Sequence, residues 1–80
     1  MSAPFTDAEL SEHFAHCIQV LCGTTAASRR LGIDERAIRR FVTGEKPISE
    51  RLMQDTAATL RALIEEASAA EARITAALGA

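Results

Sequence analysis

The sequence predicts an all-α chain of four or five helices that ends in one long helix. Alanine, leucine, arginine and glutamate dominate, runs of β-branched residues are absent, and there is neither tryptophan nor tyrosine. Helix-capping residues alternate with glycines along the first half of the chain, and no glycine or proline interrupts residues 49–78. At 80 residues, the expectation is one compact domain with a modest core, an appended helix at most, and no separate catalytic domain.

The formal charge of −2 is unevenly spread. Residues 1–23 carry three acids and no lysine or arginine. Residues 24–48 carry six basic side chains against three acids, and residues 49–80 carry three against five. A middle third at +3 between segments at −3 and −2 allows a local positive face of the kind that phosphate contact requires, on a chain that is acidic elsewhere. Cys17 and Cys22, five apart in a segment that reads as helix, point in different directions, so they are expected to be reduced core residues and not a disulfide. No stretch approaches the roughly 20 apolar residues of a membrane span and no cationic leader precedes an apolar run; a cytoplasmic location without membrane partners is expected.

The first helix is expected to start at Thr6, with Glu9 as its capping-box partner and Phe5 stapled onto Leu10. Leu10, Phe14, Cys17, Ile18 and Leu21 then form its buried stripe, with Gly23 as the stop. A second helix is expected from Thr24 as cap through Ala27 to Leu31, ending at Gly32, where a tight turn needs positive φ. A third starts at the cap Asp34 and closes at Gly44. In it Ala37, Ile38 and Phe41 share one face, while Glu35, Arg36, Arg39, Arg40 and Thr43 share the other. After Pro47, the cap Ser49 opens a fourth helix of about 30 residues, roughly 45 Å if unbroken, with a break near residues 67–70 as the alternative. Its apolar seam, Met53, Ala57, Leu60, Ile64, Ala67, Ile74 and Leu78, is interrupted by Glu71 and fits a helical partner.

The stretch from Thr24 to Phe41 resembles the helix-turn-helix of the phage repressor and Cro family, and the resemblance covers about residues 10–60. Ser28, Leu31, Gly32, Ile33, Ile38 and Gly44 occupy the family's small, apolar and turn positions. Ser28 is small enough for two helices to approach, Gly32 makes the turn, and Leu31, Ile38 and Phe41 fill the wedge between them. Two positions depart: Thr24 stands where the family opens the helix with glutamine, and Ala37 where serine or threonine is usual.

The resemblance implies a lambda-repressor-like helix-turn-helix domain over residues 1–60; residues 61–80 read as a helical extension, and the apolar seam of the fourth helix offers Met53, Leu60, Ile64, Ile74 and Leu78 for dimerisation. It further implies a transcriptional regulator, a repressor that binds double-stranded DNA as a homodimer on an inverted repeat, with the third helix in the major groove. Glu35, Arg36 and Arg40 match the family's base-reading positions. Arginine suits guanine O6 and N7, and glutamate suits the cytosine amine. Arg29 and Arg39 match phosphate contacts, with Thr24, Thr43 and Lys46 positioned to help, while Arg30 reads equally as a solvated residue.

Two other readings compete. Helix-turn-helix folds also serve as protein-docking modules, and an antitoxin-like chain would combine operator binding with a protein partner on its last helix. His13 and Cys17 stand at i and i+4, but Cys22 lies elsewhere on the helical cylinder and no paired-cysteine motif is present, so no metal or other cofactor is expected. No nucleophile, base and orienting group can be assembled, and no enzyme is expected.

Overall fold

The computed structural model describes residues 6–79, which form four helices: α1 (Asp7–Val20), α2 (Thr24–Leu31), α3 (Glu35–Thr43) and α4 (Glu50–Gly79). The expected staple from Phe5 lies outside the described residues. Three short helices form a small cluster against the N-terminal half of α4, whose length gives the molecule its 51 Å long axis.

Each start is fixed by a side chain or a turn that satisfies backbone N–H groups left without intrahelical partners. At α1 the Glu9 amide donates to Thr6 Oγ1 at 3.2 Å while the Thr6 amide donates to Glu9 Oε1 at 2.8 Å, a complete capping box. Asp34 Oδ1 accepts from the Arg36 amide at α3, and Ser49 Oγ accepts from the Leu52 amide at α4.

The α1–α2 junction differs from the expectation. Cys22, not Gly23, takes the left-handed position after α1, at φ 77°, and Gly23 N–H donates to Ile18 O at 2.9 Å. That six-residue bond closes a Schellman turn, and its hydrogen bonds offset the cost of placing a residue with a Cβ there. Gly23, at φ 99°, is then the residue flanking α2; Thr24 is already helical and makes no side-chain cap. Cys22 lies outside α1 and is exposed, so only Cys17 is a core cysteine.

The core takes Phe14 and Ile18 from α1, Leu21 from its C-cap, Ala27 from α2, Ile38 from α3 and Leu52 from α4. Leu21, Ala27 and Ile38 have no exposed surface. Phe41 meets Phe14 edge-to-face at 5.8 Å, in the range such rings prefer.

In α4 the face turned to the core is Leu52, Thr56, Leu60 and Leu63, one position round from most of the expected seam. Thr56 is buried because its hydroxyl donates to Leu52 O at 2.7 Å, which removes the penalty for an unsatisfied polar group. α4 runs without interruption through residue 60 and through residues 67–70. Contacts with the cluster therefore reach Leu63 and Glu66, past the expected domain boundary, and residues 64–79 are exposed.

Two outcomes follow. Gly32→Ala, which forces a Cβ into a left-handed backbone at φ 70°, is expected to cost about 1 kcal/mol in urea denaturation, with Gly32→Asn costing less. Burial raises the Cys17 thiol above its usual range while Cys22 stands in solvent. A maleimide is thus expected to label Cys22 in the folded protein and to reach Cys17 only after unfolding, as peptide mapping would record.

Candidate nucleic-acid interface

The geometry of α3 follows from the turn before it. Gly32 N–H and Ile33 N–H both donate to Ser28 O, at 2.9 and 3.2 Å, and Ser28 Oγ donates back to Ile33 O. These three bonds join the last turn of α2 to the start of α3, and the small side chain of Ser28 both permits the approach and supplies one of them. Ile38, fully buried, sets the rotation of α3 about its own axis, with Phe41 and Val42 packed beside it.

With that face fixed, Arg36, Arg39, Arg40 and Thr43 stand together on the exposed side. Their electrostatic situations differ. Arg39 Nη2 lies 3.4 Å from Glu35 Oε1, one helical turn before it, and Glu35 is half-buried. Arg40 Nε is 4.0 Å from Glu45 Oε2 in the following loop. Arg36 enters none of the ion pairs found among the described residues. Its guanidinium therefore faces solvent with no carboxylate to release, whereas Arg39 and Glu35 would have to separate before either met a base or a phosphate.

Around this face the loop 44–49 is tied to α3, since the Lys46 amide donates to Arg40 O at 3.1 Å. Its ammonium sits 5.3 Å from the Phe41 ring centre. Thr43 Oγ1 donates to Arg40 O. On α2, Arg29 is exposed and Thr24 half-buried at the N-terminal end. Arg30 is not a freely solvated residue: its two Nη atoms meet Glu66 at 3.3 and 3.1 Å, joining α2 to α4. The hydrogen bond and charge of Glu66 strengthen the proton affinity of that guanidinium. Sequence reasoning missed this pair, whose members lie 36 residues apart.

Of the expected dimerisation residues, Met53 and Leu60 are half-buried on their own chain, Leu60 against the core. Ile64, Ile74 and Leu78 are 55%, 61% and 82% exposed.

The His13 and His16 rings lie 6.1 Å apart, and among the described residues no group of three metal-ligating side chains forms. An open groove of about 490 Å³ lies between the start of α1 and the loop after α3, lined by Asp7, Ser11, Thr43, Lys46 and Ile48 among others. Among the described residues no helix is long and apolar enough to cross a membrane. The chain matches no protein-family model, no curated protein and no solved structure.

The arginine face carries little of the fold. Arg36→Ala and Glu35→Gln are each expected to change the unfolding free energy by about 0.5 kcal/mol or less, because the first removes an exposed side chain and the second keeps the size of Glu35 and loses only an exposed ion pair. A loss of about 2 kcal/mol or more in urea denaturation would assign these side chains to the scaffold.

Proposed function

We propose that the chain is a sequence-specific DNA-binding regulator of the lambda-repressor-like helix-turn-helix type, with α2 and α3 as the motif and α3 as the helix that enters the major groove. The observation that carries this reading is the exposed face of α3. Three arginines stand there on a helix whose rotation is set by a buried isoleucine, and one of them, Arg36, is free of any carboxylate among the described residues. Guanidinium groups carried in a row by a helix of fixed rotation suit bidentate contact with guanine.

In this reading Arg36 and Arg40 read base edges in a G·C-containing half-site. Glu35 accepts from a cytosine amine when it leaves Arg39. Arg29, Arg39, Thr24, Thr43 and Lys46 hold phosphates. Two copies bind an inverted repeat with their α3 helices about 34 Å apart, one turn of the duplex. Repression would come from occupying an operator in the cytoplasm. The acidic charge outside residues 24–48 opposes binding to arbitrary DNA and so favours discrimination over bulk affinity.

A second reading draws on the apolar side chains left exposed on α4: a docking module, or an antitoxin-like chain that holds a protein partner there.

Selection from random-sequence duplex DNA at two salt concentrations tests the proposal. Wild type is expected to enrich an inverted repeat. Arg36→Ala and Arg40→Ala should each cost about 1–3 kcal/mol at a particular base pair and relax the preference there, whereas Arg29→Ala should weaken binding to all sequences alike and lower the salt slope by about 1. A folded wild-type protein that enriches nothing would overturn it.

A further inference from the structure

Past Glu66, α4 continues for more than three turns with every residue exposed among the described residues. A lone helical segment of that length is marginal in water, and this one exposes Ile64, Ile74 and Leu78 along one flank. The seam Leu60, Ile64, Ala67, Glu71, Ile74 and Leu78 advances by four, three, four, three and four residues, a spacing that reads the same in both directions. A pattern of this kind is complementary to itself when a second copy runs the opposite way.

We infer that residues 60–78 of α4 pair with the same segment of a second copy as an antiparallel coiled coil whose two-fold axis passes beside Ala69. In that register Leu60 meets the partner's Leu78, Ile64 meets the partner's Ile74, and Ala67 meets the partner's Glu71. Large residues thus meet large ones toward both ends, and the small Ala67 leaves room for the one carboxylate in the seam.

Glu71 decides the direction. A parallel pair in register would set Glu71 against the partner's Glu71, two like charges facing each other across an apolar seam. The antiparallel pair separates them by more than a helical turn. Within the seam, the Glu71 carboxylate already accepts from Thr75 Oγ1 at 2.6 Å, which satisfies one of its oxygens. Ala70 and Ala77 flank the seam on the side nearer the helical cluster, so the two backbones can approach closely.

The arrangement sends the two clusters to opposite ends of the helix pair, with the two Leu60 residues about 27 Å apart along the axis at 1.5 Å per residue.

Sedimentation equilibrium of the full chain without DNA tests the pairing. Wild type is expected to be a dimer, with Ile64→Lys and Ile74→Glu each weakening self-association at least about tenfold, or 1.4 kcal/mol. Both positions are exposed and lie past the core residues, and circular dichroism checks that each variant keeps its helices. An equimolar mixture of the two variants, and the double variant I64K/I74E, are expected to recover dimerisation, because only the antiparallel register puts lysine opposite glutamate. A monomeric wild type would overturn the pairing and leave the face to another protein. Loss in the single variants without recovery in either combination would overturn the register. A dimer that selects no DNA sequence would refute the proposed function and leave this inference standing, and a sequence-selective monomer would do the reverse.

Discussion

Everything the arginine face can do depends on the join between α2 and α3. Ser28 carries it: its carbonyl accepts from the amides of Gly32 and Ile33, and its hydroxyl donates to the Ile33 carbonyl. The backbone can turn sharply enough to reach these partners because Gly32 sits at φ 70°, a conformation that costs glycine little. A looser connection would let α3 roll on the core, and a roll of one residue, about 100°, would exchange Ile38 for Arg39 in one direction and for Ala37 in the other. Burial of Ile38 resists that rotation from the other side, so the turn and the core position α3 jointly.

That fixed rotation turns an ordinary charge distribution into a surface with a direction. Over residues 24–48 the excess of basic residues is only three, but α3 concentrates three arginines on one side of nine residues. Glu35 and Glu45 temper two of them through exposed contacts at 3.4 and 4.0 Å, which a phosphate or a base edge could displace at small cost because water screens such pairs. Arg30, although in the same basic segment, is paired with Glu66 through an exposed contact that bridges α2 and α4. Proximity in sequence therefore does not define the positive face; the helix rotation and the carboxylates within reach do.

What the sequence made legible follows the range of the interactions. The capping residues Thr6, Asp34 and Ser49, the turn glycines 32 and 44, and the division of α3 into two faces depend on neighbours within about four residues, and all are where local reasoning puts them. The left-handed Cys22 was not legible, because glycine at position 23 offers the cheaper local solution and only the path into α2 moves the turn one residue earlier. Nor was the inward face of α4. The rows 52, 56, 60, 63 and 53, 57, 60, 64 both have helical spacing, and Thr56 looks like a surface residue until its hydroxyl finds the Leu52 carbonyl. Within the candidate site, the residue set on α3 could be read from periodicity, whereas the difference between a paired Arg39 and an unpaired Arg36 required rotamers that depend on Glu35 and Glu45.

α4 has two halves with different dependencies. From Glu50 to Leu63 it completes the core through Leu52, Thr56, Leu60 and Leu63, and its helical state there is enforced by packing. Beyond Glu66 none of the described residues packs on it, yet the composition stays alanine-rich and free of breakers as far as Leu78, and the apolar seam continues in phase on a side of the helix adjacent to the core-facing one. Leu60 belongs to both rows, so whatever covers the seam would press on a residue that also touches the core cluster. A partner on the distal half would therefore be coupled mechanically to the cluster that positions α3, through one continuous helix with no flexible joint between them.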